Sequence, residues 1–562
     1  MLGDNRGRYA PVTSDGLFPS ARNTLFSHAA NFLSPTHPAR QKRRLLLLVG
    51  GVAALLAATL VLHATLSPSS PSYPLPPAPR PIDTINLDDL ALPLDGKNVS
   101  NANGDTTFIV GEHHAVLGNY PGDYVWRDPA TREPFADITY TNGMNNNAMG
   151  RMPAGSAYDV LVIARGRNGK YTDPREKLEY MNLTIVGFFA NYDAATGRWE
   201  RAGPEPYILD LPIWRQFPRP CQNLVNGGPA DPRFIWSDAG EPLAVIGTSS
   251  RVPDVCKAVG VVDLRAAWPA LREHLEEIGQ GAVPIRFDTF TEVGRASSKE
   301  HYEKNWAAFF AGPSPKPSEQ AKQASWWVFR LPSWGTGHKL PPASAWPYFA
   351  SQIEPRNIVK VNPALSTTDR ASDSYVLGDD LDLTLPHPSP GATPALATSD
   401  CLYNSLPKNW RKDGFHQATA FYRMTLCNRG TCTPSRDNTV LLGLVHYKMS
   451  RRTYRRMFVT MGVDEPFQIL SVSPPLHFGS AEMDEDVVFS VSITFMPTNN
   501  ATNQGESPFL KSTEPMSGYL SHGWLDDTVV VGAGLRDEAY DAIHMPAVDA
   551  LRGHTLCPRQ GK

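Results

Sequence analysis

No strong charge of either sign marks this chain. Its 53 Lys and Arg stand against 56 Asp and Glu, for a formal net charge of −3, and no basic run is interleaved with aromatics. That excludes a general nucleic-acid binder, which must concentrate cations against phosphate. Several catalytic signatures are missing as well: there is no G-x-S-x-G, no H-E-x-x-H and no P-loop. α/β-Hydrolase, zincin and P-loop chemistry therefore have no sequence support. Cysteine is scarce, at six residues, and the spacing of Cys427 and Cys432 offers no second ligand pair, which argues against a zinc site. Self-similarity is too weak to define a repeat.

One long apolar run is present, "LLLLVGGVAALLAATLVL" at residues 45–62, without a charge. At 1.5 Å per residue it spans roughly 27 Å, close to a hydrocarbon core. Arg40, Lys42, Arg43 and Arg44 precede it, and a Pro/Ser-rich segment with one Arg follows. That asymmetry places the N-terminus in the cytoplasm. A cleaved signal peptide is disfavoured by the long polar stretch ahead of the run. The expected layout is a cytoplasmic tail (1–44), a transmembrane anchor (45–66), a Pro/Ser-rich stem (67–100) and a lumenal domain (101–562). All six cysteines (Cys221, Cys256, Cys401, Cys427, Cys432 and Cys557) and three sequons (Asn98, Asn182 and Asn500) follow the anchor. Both features suit an oxidising, glycosylating compartment. Proximity in sequence suggests the pairs Cys221–Cys256 and Cys427–Cys432.

The body reads as β-rich. Hydrophobic residues make up 41%, and 51 Pro and 43 Gly punctuate the chain. About seventeen short apolar runs are separated by turn residues, a spacing that favours a closed or radial β architecture over a two-sheet sandwich, which at this size would split into domains. Helices are expected near residues 264–278 and after Asp537. A five-bladed propeller needs about twenty strands, so the count is compatible with one. The expected fold is mainly β, a five-bladed propeller-like catalytic domain behind a single N-terminal transmembrane helix.

In a propeller, polar residues where the innermost strands begin face the central funnel. Asp231-Pro232-Arg233 has that placement: Pro232 biases Asp231 toward extended geometry, and the Arg233 fork matches a carboxylate or phosphate. An Asp-Pro turn with a surface Arg is the simpler reading. Glu482, Asp484, Glu485 and Asp486 precede another strand, either as a solvated turn or as funnel carboxylates. His522, Trp524, Asp526 and Asp527 crowd before a third, a set suited to sugars if it is not a turn over a core Trp. Asn145 to Asn147 precede a run ending in Arg165, and Glu303 to Trp306 open another. His416, Gln417 and His446 flank two more strands. D-x-D occurs at 484–486 and at 380–382 and is compatible with a divalent cation on a donor diphosphate; no cofactor is demanded.

The C-terminal half, with "FHQATAFYRMTLCNRGTC", "LLGLVHYK", "AEMDEDVVFSVSITF" and "HGWLDDTVVVGAG", together with "EKNW" at 303–306, resembles the fungal β-1,2-mannosyltransferases. "DPRFIW" is similar to the Asp-Pro-Arg of five-bladed-propeller glycoside phosphorylases and hydrolases acting on β-mannosides. The resemblance implies a type II Golgi membrane enzyme moving mannose from GDP-mannose, with inversion, onto mannan or a mannosylated glycolipid or glycoprotein. Inversion requires a general base for the acceptor hydroxyl and stabilisation of the departing diphosphate. Asp231, Glu485, Asp486, Asp526 and Asp527 are the candidates for the base. Arg233, Arg165, Asn145, His416, Gln417, His446, His522 and Trp524 are the candidates for binding. A glycoside hydrolase or phosphorylase on the same fold, and a non-catalytic glycan-binding propeller, remain the alternatives.

Overall fold

The computed structural model describes residues 87–90, 92–93, 98–100, 107–110, 112–117, 138–139, 143–172, 179–211, 226–250, 255–283, 285–295, 304–312, 347–353, 356–361, 375–380, 402, 415–448, 454–477, 488–498, 507–535 and 539–557. The chain divides into two compact units, Met1–Ala78 and Pro79–Lys562, and every described residue lies in the second. Among the described residues no helix is long and apolar enough to cross a membrane. The 45–62 run lies outside them.

Antiparallel pairing organises the second unit into five four-stranded meanders. The first is Gly143–Arg151, Val160–Thr172, Glu179–Asp193 and Arg198–Ile208. The second is Ala230–Trp236, Pro242–Ser249, Lys257–Asp263 and Thr291–Arg295. The third is Ala307–Phe309, Tyr348–Ile353, Arg356–Val361 and Tyr375–Asp380. In the fourth, Phe415–Gln417 and Tyr422–Thr425 share the first position, followed by Thr439–Lys448, Tyr454–Gly462 and Ile469–His477. The fifth is Val488–Pro497, Asp527–Leu535 and Ala539–Pro546, completed by Glu112–Leu117 from the N-terminal side.

Each meander touches the next, and the fifth touches the first through Val488–Pro497 against Gly143–Arg151. This is the connectivity of a five-bladed propeller. Recruiting an early strand into the last blade closes the ring and removes an exposed sheet edge. Ring closure also explains the burial pattern. First strands lie between neighbouring blades and lose the usual alternation, as in Ala230–Trp236, where the last five residues are all buried. The outermost Arg198–Ile208 keeps mostly exposed or half-buried side chains. One apolar cluster runs across blades two to five through Ile235, Val261, Phe349, Leu442 and Val531. Another joins blades one and two through Phe189, Phe234 and Trp268.

The expected helix near 264–278 is two segments, Leu264–Ala267 and Pro269–Glu277. The Asp263 side chain caps the first by accepting from the Arg265 backbone N–H at 2.9 Å. Pro269 cannot donate to the preceding turn, so the helix restarts with proline in its first turn. The helix expected after Asp537 is instead the strand Ala539–Pro546 and a short 3₁₀ turn, Ala547–Leu551. Ladder pairing on both sides, to Asp527–Leu535 and Glu112–Leu117, overrides local helical preference there.

Cys427 and Cys432 form a disulfide, as their spacing suggested. Cys256 and Cys557 are also disulfide-bonded, while Cys221 and Cys401 lie outside the described residues. Asn98 and Asn182 fall in strands whose side chains are not described, and Asn500 lies outside.

Candidate active site

The first strands of the blades all run in one direction through the ring, so their starting residues share one end of it. Asn145 and Asn146 precede the strand that carries Arg165, as their sequence position suggests, and form a strand of their own against it. They lie inside Gly143–Arg151, where a bulge breaks the register between Asn145 and Ala148. A second bulge, between Ala230 and Arg233, carries Asp231. The third first strand, Ala307–Phe309, is preceded by Asn305. Asn146, Asp231 and Asn305 have φ of 52°, 49° and 60°. Non-glycine residues in the left-handed region cost free energy and are tolerated best by Asn and Asp. Three of them where neighbouring blades meet mark a site held by its surroundings.

The three are linked. Asn146 Nδ2 donates to Asp231 Oδ1 at 2.7 Å, and Arg165 Nη1 donates to the same oxygen at 2.7 Å. Arg165 Nε donates to Asn145 Oδ1 at 2.7 Å, which fixes the guanidinium. Among the described residues no hydrogen bond reaches Asp231 Oδ2, and 27% of this side chain's surface is accessible. One oxygen is therefore anchored, and the other carries no hydrogen bond among the described residues. Burial opposes the charged carboxylate. Arg165, the Asn146 hydrogen bond, Arg233 and Lys257 outweigh it and hold Asp231 below the usual carboxylate range. Asp231 is thus ionised at neutral pH.

Arg233 is placed beside Asp231 but does not reach its carboxylate by a hydrogen bond. Nε donates to the Ala418 carbonyl at 2.7 Å, Nη1 to the Asp231 carbonyl at 3.2 Å, and Nη2 to Asn305 Oδ1 at 3.3 Å and the Gln417 carbonyl at 3.5 Å. The guanidinium clamps blades two, three and four together and acts on the site through its field. Burial lowers its pKa to about 10, against the opposing pull of Asp231. Lys257, at the start of the third strand of blade two, was not singled out from the sequence. Burial, together with the exposed Lys304, takes it down to about 8 against the opposing pull of Asp231. No local motif surrounds Lys257; the return of its strand to the same end of the ring brings it beside Asp231. Asn146 and Asn305 carry a weak signal, since asparagine is the commonest non-glycine residue at left-handed positions.

Of the other expected binding residues, half-buried His416 and buried Gln417 lie in the first strand of blade four, at the same end of the ring. His416 is paired opposite His446. His446 is fully buried, accepts the Ser490 N–H at 3.2 Å and packs on Phe489. Burial, with Arg456, Arg233 and His416 nearby, pushes it well below the usual imidazole value, so it is neutral. Glu485 and Asp486 lie outside the described residues, as do Glu482 and Asp484.

Asp526, Asp527, His522 and Trp524 are not brought to this cluster. Asp527 pairs with Pro497, the last residue of a first strand, and so stands at the opposite end of the ring. There it accepts from Arg429 at 2.8 and 3.0 Å and from the Trp524 N–H at 3.0 Å. Arg429 also reaches Glu514 at 2.6 Å, and Glu514 meets the buried Arg151 at 2.5 Å. Burial raises the Asp527 pKa despite these arginines. Asp526 is exposed and accepts the Arg429 N–H at 2.7 Å. His522 is buried, hydrogen-bonds Thr425 at 2.7 Å, and is pushed well below its usual pKa by burial. Trp524 packs under the Arg429 guanidinium, 5.5 Å from the ring centre. These contacts form a charged network at this end of the ring. Among the described residues, no group of three or more His, Cys, Asp or Glu could hold a metal.

No protein-family model and no curated protein sequence matches the chain. Solved structures with a similar chain path include a β-1,2-mannobiose phosphorylase from Listeria innocua in complex with β-1,2-mannobiose. It is 9% identical, with a TM-score of 0.34, over 77% of this chain and 98% of that one. A glycosyl hydrolase from Bacteroides ovatus is 10% identical, with a TM-score of 0.35, over 80% and 96%. A mannose phosphorylase from Leishmania mexicana, in complex with a phosphate ion, is 8% identical, with a TM-score of 0.30, over 80% and 92%.

Proposed function

We propose that the protein is a carbohydrate-active enzyme that moves a mannosyl group between a phosphate-type leaving group and a sugar hydroxyl, with Asp231 carrying the proton. The observation that supports this reading most is the Asp231 carboxylate itself. It is ionised, anchored through Oδ1 by Arg165 and Asn146, and open at Oδ2, with Arg233 and Lys257 beside it. A carboxylate held below its usual pKa at a ring mouth suits a proton acceptor better than a resident proton donor. Cations next to it suit a phosphate. The mannosyl identity, and GDP-mannose as donor, come from the sequence resemblance.

In the direction of synthesis, the acceptor hydroxyl oxygen bonds to the anomeric carbon as the carbon–oxygen bond to phosphate breaks. The hydroxyl proton passes to Asp231 Oδ2, and the diphosphate leaves with the electron pair. Attack from the face opposite the leaving group inverts the anomeric centre. Phosphorolysis is the same exchange run backwards with inorganic phosphate in place of the diphosphate: a phosphate oxygen bonds to the anomeric carbon, the glycosidic bond breaks, and a protonated Asp231 gives its proton to the departing sugar oxygen. The decisive assay therefore runs both ways. With GDP-mannose and a mannose-terminated oligosaccharide, a β-linked product is expected by NMR. Mannose 1-phosphate formed from a β-mannobiose and inorganic phosphate would instead assign the phosphorolytic direction, and no turnover in either assay would overturn the reading.

The same arrangement fixes a pH dependence. Lys257 is charged below about 8 and loses its charge above it, so turnover is expected to fall as pH rises through that value. Stability moves the other way. The folded-state pKa is lowered, so between about 8 and 10.5 the unfolded chain binds more protons and the folded state gains relative to it. A basic limb of the rate profile without a matching loss of thermal midpoint is the expected signature. Lys257→Met should abolish that limb.

A further inference from the structure

We infer that Gly534 is a positioning residue for Asp231 and acts through Asn146; the inference rests on the reading of Asp231 given above. Gly534 lies in the second strand of blade five, paired between Phe489 and Tyr540. The bulge of blade one leans directly on it. A Cβ at Gly534 would overlap Asn146 Oδ1 and lie 2.8 Å from the Asn146 backbone nitrogen and 2.9 Å from its Cγ. The backbone of blade five thus forms the floor on which the Asn146 side chain rests. Gly532, two residues earlier on the same face of the strand, lies under the Asn147 carbonyl in the same way.

The consequence for the site follows from how Asn146 is held. It is 2% exposed, its φ is positive, and among the described residues its Oδ1 has no hydrogen-bond partner. Its Nδ2 donates to Asp231 Oδ1. Contact with a bare glycine therefore settles where the amide points, and the amide in turn settles which Asp231 oxygen is anchored and which is free. Any side chain at 534 would lift Asn146 and release Asp231 to Arg165 alone. Released from the Asn146 hydrogen bond, Asp231 would titrate higher; Arg165, Arg233 and Lys257 are the charged groups that continue to face it.

The test compares Gly534→Ala, Asn146→Ala and Gly443→Ala in the full chain. Gly443 is the control, because a Cβ there would overlap the Phe421 ring in blade four rather than Asn146. Gly534→Ala and Asn146→Ala should each lower kcat by about 10²-fold, the scale of a roughly 1 Å misplacement, with a smaller change in KM. Both should move the acid limb of the pH–rate profile upward, and the double variant should be no worse than the worse single. Gly443→Ala should lower the thermal midpoint without moving that limb. Stability supplies a readout that needs no turnover: the cost of Gly534→Ala should shrink in the Asn146→Ala background. If that coupling appears and no variant of Asp231 affects turnover, the positioning contact stands and the catalytic reading falls. Additive stability effects, or an acid limb that stays put in Gly534→Ala, would overturn the inference.

Discussion

Asp231→Asn is expected to lower kcat by about 10²–10⁴-fold, the usual contribution of a positioned base, or roughly 3–5 kcal/mol of barrier. An amide occupies nearly the same volume and accepts the left-handed backbone as readily as Asp, so the bulge should persist. What disappears is an oxygen able to take the acceptor's proton. The stability cost should be modest, about 2 kcal/mol at neutral pH, for one charge-assisted hydrogen bond from Arg165. The sign with pH is fixed. The folded-state pKa of Asp231 is depressed, so its charge stabilises the fold above the unfolded carboxylate pKa and stops doing so as pH falls through the folded value. Wild type and variant should therefore converge in stability under acid conditions. A variant that keeps more than about a tenth of wild-type turnover would leave less than about 1.4 kcal/mol of barrier resting on Asp231 and would sink its assignment.

Asp527→Ala should show the opposite pattern. Removing it strands the Arg429 guanidinium and the Trp524 N–H at the far end of the ring. Breaking a buried ion pair from one side costs about 3–5 kcal/mol. The low end applies, because the partly exposed Arg429 keeps Glu514. The protein that remains folded should turn over at nearly the wild-type rate. Chemical denaturation and kcat, measured on both variants, separate the two aspartates: one loses chemistry and keeps its fold, the other loses stability and keeps its chemistry. Loss of kcat in folded Asp527→Ala would return Asp527 to the list of candidate bases.

Much of the architecture was legible in local sequence, and its reach has a physical limit. The apolar runs that became "YDVLVIAR", "PLAVIGTS" and "VVFSVSITF" carry their strand identity in composition, because strands packed on both faces are apolar throughout. The Cys427–Cys432 bond was readable because only four residues separate its partners. The closing strand was not readable. Ala115 pairs with Asp541, and nothing local to either announces a partner so far along the chain.

The site divides in the same way. Asp231, Arg165 and Asn145 were recognisable as polar residues beside strongly apolar strands, and the fold brings all three together. Asp527 bears the same local mark, a carboxylate ahead of a β-rich run. Sequence by itself could not tell the two apart, because the difference lies in strand order. Asp231 sits near the start of the first strand of its blade, and Asp527 at the start of the second. Successive strands of a meander run antiparallel, so those two starts fall at opposite ends of the ring. Sequence alone determined that carboxylates would stand at strand ends. Only closure of the five blades decided which of them meet partners, and it did so by bringing Asn146, Arg165 and Lys257 from separate strands to one aspartate.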